Sequence, residues 1–201
     1  NVQDINVTSG TLNVNGGLNV SNNNLTNLVF NVGNLYWVGG MTTNTHLGTN
    51  STGVNNNWSN PDNWATASGT YSGKNICIPN LTTNVFVDAA SFDGGTTIIN
   101  LDANGEAESL DFSTNDDVFN FNGTSARVLK VAGDVVLDAQ ADFSGMTGII
   151  ELEGSKLGVN TFNAAGANLS TVDLLVNLTL VTDRYNLITS DVSVDEFQLQ
   201  S

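Results

Sequence analysis

Thr97-Ile98-Ile99-Asn100-Leu101, Ser109-Leu110-Asp111-Phe112, Val118-Phe119-Asn120-Phe121 and Val128-Leu129-Lys130-Val131 decide the fold class. Each run is short, sets apolar beside polar or charged side chains over most of its length, and leads into turn-forming residues such as Asn104-Gly105 or Asn122-Gly123. Period-two alternation puts one row of side chains on each face of an extended backbone, the pattern of a half-buried strand. Outward from this stretch the same grammar recurs in Val85-Phe86-Val87, Val135-Val136-Leu137, Ile149-Ile150-Glu151-Leu152, Leu174-Leu175-Val176, Leu178-Thr179-Leu180 and Phe197-Gln198-Leu199. It also recurs upstream in Ile5/Val7, Leu12/Val14, Leu18/Val20 and Leu28/Phe30/Val32, separated by Ser9-Gly10, Asn15-Gly16-Gly17 and Ser21-Asn22-Asn23-Asn24. No segment carries a convincing helical apolar period.

Composition agrees with an all-β chain. Among 201 residues there are 31 Asn, 22 Thr and 20 Gly, and 12% are charged. Asn, Thr and Gly weaken helices, whereas Asn and Gly accept the left-handed backbone of tight turns and Thr, Val and Ile suit a pleated surface. Strands of three to five residues between Asn/Gly turns fit stacked coils better than the longer strands of a β-sandwich, which is the alternative. The reading is therefore a parallel β-solenoid, or β-helix, with Asn and Thr ladders along the coils. At ~20 residues per coil, a period of 192 residues would hold ~9 coils and rise ~45 Å.

That period comes from the two ends of the chain. Val2-Gln3-Asp4-Ile5-Asn6-Val7-Thr8-Ser9 resembles Val194-Asp195-Glu196-Phe197-Gln198-Leu199-Gln200-Ser201, with six of eight pairs identical or conservative. Alternating strands match one another by composition alone, so the similarity reads equally as a generic strand pattern or as slightly more than one unit of a tandem array. In the second case neighbouring units would cover the apolar edges. Three segments follow: 1–35 as first solenoid coils ending a preceding unit, 36–84 as an excursion containing the Trp residues, and 85–201 as the main coils. A long stretch of this kind within a compact domain is commonly functional.

Within that excursion and just beyond it, Tyr36-Trp37-Val38-Gly39-Gly40, Asn57-Trp58-Ser59-Asn60-Pro61-Asp62-Asn63-Trp64, Cys77-Ile78-Pro79-Asn80 and Val85-Phe86-Val87-Asp88-Ala89-Ala90-Ser91-Phe92 are the most distinctive motifs. Together they resemble a block of giant secreted surface proteins of Bacteroidota, the SprB-type gliding-motility adhesins exported by the type IX secretion system. The resemblance covers roughly residues 36–92 and implies a cell-surface repeat whose parent polypeptide travels along the cell and holds the substratum. The family pattern often carries a second Cys downstream, where this chain has Glu106-Ala107-Glu108-Ser109. Cys77 is the single cysteine, so it reads as a buried structural thiol with no intrachain disulfide.

Trp37, Trp58 and Trp64, with Asp62 beside them, admit two readings. They form a small core that pins the excursion to the solenoid, or they present rings to stack on sugars while neighbouring Asn and Asp bind hydroxyls. Carboxylates cluster at Asp88 and Asp93, at Asp102, Glu106, Glu108, Asp111, Asp116 and Asp117, and at Asp134, Asp138 and Asp142. Ca2+ stays open as a cofactor, but neither the spaced acids of an EF-hand nor a glycine-aspartate nonapeptide is present, and a solvated acidic face explains the clusters. No other cofactor is implied.

The balance of function follows from charge and chemistry. A net charge of −15 opposes nucleic acid or anionic lipid as a partner. No apolar run is long enough for membrane insertion. His46 is the one histidine, which removes His-based metal clusters and Ser/His/Asp triads, and Cys77 lacks a partner base. A solenoid lyase or hydrolase would need an acid- and base-lined groove, and bases are scarce. The expectation is an extracellular, cell-surface, non-enzymatic repeat for structure and adhesion, whose partners are adjacent repeats of the same polypeptide and surface glycans or an abiotic substratum. A carbohydrate-binding module of a larger secreted enzyme is the alternative.

Overall fold

The computed structural model of the chain describes residues 33–40, 56–69, 77–92, 97–154, 158–178, 182–188 and 192–200. The expected strand pairs upstream of residue 33, the Val2–Ser9 match, His46, Asp93 and Thr179-Leu180 lie outside them. In chain order the strands are β1 (Asn34–Trp37), β2 (Trp64–Ala65), β3 (Asn84–Phe86), β4 (Ile98–Leu101), β5 (Gly105–Ala107), β6 (Ser109–Asp111), β7 (Phe119–Gly123) and β8 (Val128–Val131). Then follow β9 (Val135–Val136), β10 (Ala141–Asp142), β11 (Ile149–Leu152), β12 (Val159–Asn163), β13 (Asp173–Asn177), β14 (Arg184–Leu187) and β15 (Glu196–Gln200). The one helical turn among the described residues is a 3-10 turn at Pro61–Asn63.

From β3 to β12 the chain visits three sheets in rotation, then alternates between two of them through β15, and within each sheet successive visits lie side by side and parallel. The sheet orders are β14-β12-β9-β6-β3-β1-β2, β10-β7-β4 and β15-β13-β11-β8-β5. This is a parallel β-solenoid of about four turns, as the short alternating runs predicted. The coil is longer than the expected ~20 residues. Even the shortest step between consecutive coils, from Leu129 to Ile150, exceeds that length, and the step from Val135 to Phe162 is longer still. Three faces, each with a strand and a corner, account for the extra length. Strands only two to five residues long suffice because stacking, rather than strand length, supplies the pairing.

Inward side chains stack in columns. In the seven-stranded sheet Leu35, Val85, Leu110, Val135 and Phe162 lie in register and are buried. In the five-stranded sheet Leu129, Ile150 and Leu174 do the same, as do Ala107, Val131, Leu152 and Val176. Aromatic rings fill the interior along the three-stranded sheet: Phe92 stacks on Phe119 at 5.0 Å, and Phe121 on Phe143 at 5.0 Å. The exchange of apolar surface from water into these columns is the main stabilising term.

Expected amide ladders run along the outside. Asn84 Nδ2 donates to Asn34 Oδ1 at 3.2 Å, Ser109 Oγ donates to Asn84 Oδ1 at 2.7 Å, and Asn122 Nδ2 donates to Asn100 Oδ1 at 3.3 Å. At the corners Asp and Asn side chains accept the amide two residues on. Asp88 takes Ala90, Asp111 takes Ser113, Asp138 takes Gln140 and Asn163 takes Ala165, at 2.7–3.0 Å, in successive coils. This Asx geometry turns the chain from one face to the next.

Candidate functional site

The excursion between β1 and β3 occupies the outer edge of two of the three sheets at one end of the stack. β1 pairs parallel with β3 on one side and antiparallel with β2 on the other, Trp37 opposite Trp64 and Tyr36 opposite Ala65. The outer edge of β1 is thereby occupied. Asn56–Trp58 does the same for the three-stranded sheet: Trp58 N donates to Asn100 O at 2.7 Å and Asn100 N to Asn56 O at 2.8 Å. Asp102 accepts the backbone amide of Ser59 at 3.0 Å and also its hydroxyl, tying the excursion to the corner after β4. The motif Asn57–Trp64 folds on itself, with Pro61 opening the 3-10 turn, the Asn60 side chain accepting Asp62 N at 3.1 Å and Asn63 Nδ2 donating to Asn57 O at 2.8 Å.

The three indoles meet inside this cap. Trp37 and Trp58 each sit edge-on to Trp64, at 5.1 and 4.8 Å, and Trp58 reaches Phe121 at 6.1 Å. Trp64 Nε1 donates to the Trp58 carbonyl at 2.9 Å. None of the three is more than 1% exposed. A ring covered on both faces offers nothing to a sugar, so the candidate ligand residues Trp37, Trp58 and Trp64 are core residues that join the cap to the coils. Asp62 is half-buried at the turn beside them. Gly105 shows how tight the junction is, since a Cβ there would lie 2.9 Å from Trp58 Nε1 and 2.8 Å from Leu101 Cδ1.

Aromatic surface does exist elsewhere. Tyr36 and Phe86 stack at 4.9 Å with planes 19° apart, each half-buried, and they occupy positions that alternate with the buried inward residues. The pair is not evident in sequence because Tyr36 and Phe86 are remote along the chain and meet only through the β1–β3 register. Its signal was the alternation itself, which assigns Phe86 to the opposite face from Val85 and Val87.

At the opposite end no further strand follows among the described residues. Leu187 follows Phe162 in the seven-stranded sheet, and Phe197 and Leu199 follow Leu174 and Val176 in the five-stranded sheet. Their predecessors are at most 7% exposed, whereas Leu187, Phe197 and Leu199 are 55, 48 and 76% exposed, with Ile188 at 61% beside them. Among the described residues β14 and β15 are the outermost strands of their sheets, and the inward columns end there.

Charged groups on the walls serve structure. Lys130 Nζ lies 2.7 Å from Glu153 and 3.3 Å from Glu151, and Asn177 Nδ2 donates to Glu151 at 2.8 Å. The hydrogen bond to Glu153, partly offset by desolvation and aided by the charge of Glu151, raises the Lys130 pKa. Tyr185 donates its hydroxyl toward Gly133 O at 2.9 Å, and burial raises its pKa. Cys77, expected to be buried, is half-buried, and its partial burial pushes the thiol pKa up. Four of the acids read as possible cation clusters, Asp88, Asp111, Asp138 and Asp142, cap corners, and the Ser144 amide, foremost, holds Asp142 below the usual carboxylate range. Among the described residues no group of three His, Cys, Asp or Glu is placed to hold a metal ion. A shallow trough between coils is lined by Asn100, Asp102, Asn122, Thr124, Arg127 and Thr147, with amide and hydroxyl groups but no aromatic ring. No protein-family model, no curated protein and no solved structure matches the chain.

Proposed function

We propose that the chain is a structural and adhesive repeat of a secreted cell-surface filament, of the gliding-motility adhesin type that residues 36–92 resemble. The observation that carries the reading is the coil stack itself, a shaft with a filled interior against which the excursion packs. Parallel coils hydrogen-bonded along the axis resist bending and stretching together, so linked units give reach and stiffness. The outer walls carry amides, hydroxyls and carboxylates, and the net charge of −15 keeps such a shaft dispersed. Its partners are neighbouring repeats, and glycans or an abiotic substratum at the far end. Individual contacts are weak, and linkage of many copies supplies attachment.

The test is adsorption of one, two and four tandem copies to glycan-coated and bare hydrophobic surfaces in a flow cell. Retention rising steeply with copy number supports the reading. Retention that is nil, or proportional to mass alone, removes the adhesive part of it.

A carbohydrate-binding module is the second reading, and the stacked Tyr36–Phe86 pair favours it. Its test is a glycan array with the chain and its Phe86→Ala variant. Binding lost in the variant would establish the module, and an empty array would dismiss it.

A further inference from the structure

We propose that the trough between the coils at Arg127 binds a saccharide bearing a single carboxylate, an acidic sugar at a chain end or on a sparse branch. The proposal gives the glycan partner named above a chemical class and rests on that partner being a glycan. Linkage of copies plays no part in it.

The chain has five basic residues against 20 acidic ones, so a cation on its surface has many carboxylates within reach. Lys130 takes two of them, Glu151 and Glu153. Arg127, half-buried between β7 and β8, makes no ion pair and no side-chain hydrogen bond with any described residue. Asp102, which lines the same trough, is committed elsewhere: its two oxygens accept the amide and the hydroxyl of Ser59. A guanidinium left unspent presents a planar fork of donors, which fits a carboxylate through two parallel hydrogen bonds.

The rest of the lining suits the ring that carries the carboxylate. Thr124 and Thr147 follow Gly123 and Met146, which pair across adjacent coils, so the two exposed threonines stand one coil spacing, ~4.8 Å, apart. Neither hydroxyl has a hydrogen-bond partner among the described residues. Asn100 and Asn122 form the neighbouring column, and in the next coil the place opposite Asn122 is held by Gly145, where a Cβ would overlap Asn122 Oδ1. Bare backbone at that point keeps the trough open, with a volume of about 490 Å³ that falls in the range of small-molecule sites. No aromatic ring is present to stack on a sugar, so the charge-assisted pair is the strongest single contact, and a sugar without a carboxylate loses it. One cation serves one carboxylate, and the net charge of −15 repels a dense polyanion.

Titration of the full chain with methyl glucuronide, followed through the backbone amide NMR signals of Gly123, Gly145 and Thr147, tests it, with methyl glucoside and sodium acetate as separate arms. Saturable shifts at these signals are expected, with glucoside and acetate each weaker by about tenfold or more. Arg127→Gln should lower glucuronide affinity about tenfold or more at an unchanged thermal midpoint, because the side chain it replaces holds no described residue. Thr147→Val should weaken glucuronide and glucoside alike, by about threefold. Silent signals, glucoside bound as tightly as glucuronide, or affinity indifferent to Arg127→Gln would each overturn the proposal. Acetate bound as tightly as glucuronide would overturn it too, since the sugar would then play no part. Tandem copies retained on glycans despite Arg127→Gln would remove this site and leave adhesion standing, whereas saturable glucuronide binding without retention would do the reverse.

Discussion

Replacement of Trp58 by Ala removes one of the three indoles that join the cap to the coils. Trp58 is 1% exposed, sits 4.8 Å from the Trp64 ring and 6.1 Å from Phe121, and packs over the backbone of Gly105. Removing a buried Trp leaves a cavity and breaks two edge-on ring contacts, with an expected loss of about 3–5 kcal/mol. The hydrogen bond from Trp64 Nε1 to the Trp58 carbonyl is to backbone, so the substitution does not delete it. In a stack whose coils pair with their immediate neighbours, the loss falls mainly on the cap and the first coils.

The protein supplies separate reporters for the two regions, because its three Trp residues, Trp37, Trp58 and Trp64, all belong to the cap. Fluorescence therefore reads the cap, and far-ultraviolet circular dichroism reads all the strands. With a urea slope of about 1–3 kcal/mol per molar, the fluorescence midpoint of Trp58→Ala should fall by about 2 M, ahead of the dichroism midpoint. A shift under about 0.3 M, the same in both signals, is what a surface residue gives and would refute the buried assignment.

Three further perturbations follow from the walls and corners. Gly148→Ala sets a Cβ 2.4 Å from Arg127 O and 2.7 Å from Thr124 O, both backbone, whereas Gly33→Ala meets nothing within 4 Å; thermal unfolding should show the first destabilised by about 1–3 kcal/mol and the second by less than about 0.5 kcal/mol. Lys130→Met leaves Glu151 and Glu153 without their cation and should cost about 1 kcal/mol at pH 7, a figure reduced for the partial exposure of Lys130. Because the folded-state pKa of Lys130 is raised, the wild-type advantage is complete below its ordinary value of 10.5 and disappears as pH rises beyond it, which urea midpoints at pH 7 and in strong alkali check. Asp173 faces Glu196 across β13 and β15, and burial, then the charges of Asp195 and Glu196, push its pKa above 3.8. Asp173→Asn should therefore stabilise the last coils slightly at pH 7, by less than about 0.5 kcal/mol, with the gain vanishing below pH 3.8 as wild type becomes protonated in both states.

Much of the fold was legible because half-buried strands leave an alternating trace. Ile98–Leu101, Ser109–Asp111 and Val128–Val131 stand where the alternation put them. Gly105–Ala107 was not legible, since Gly and Ala carry little strand signal; the strand forms by parallel pairing with β8, and Trp58, Leu101 and Leu129 crowd position 105 so that only Gly fits. Coil length escaped for a similar reason: β5 and β6 are separated by one residue and β11 and β12 by six, and nothing local in a corner states its length. The indoles were ambiguous in sequence because their partners are remote. Only the stacked coils bring Phe121 beneath Trp58 and lay β2 along β1. The carboxylate clusters looked like a surface property, whereas many turned out to be the recurring corner of successive coils.

In-register stacking of the coils is tested most directly by one distance. Asn84 on β3 and Asn186 on β14 occupy the same column four coil steps apart, through Ser109 and Thr161. Spin labels at these two positions, in a chain with Cys77 replaced by Ala, should give a narrow dipolar distance near ~19 Å, four spacings of ~4.8 Å. A broad distribution, or a separation well beyond ~30 Å, would contradict the stack on which the cap and the proposed shaft both depend.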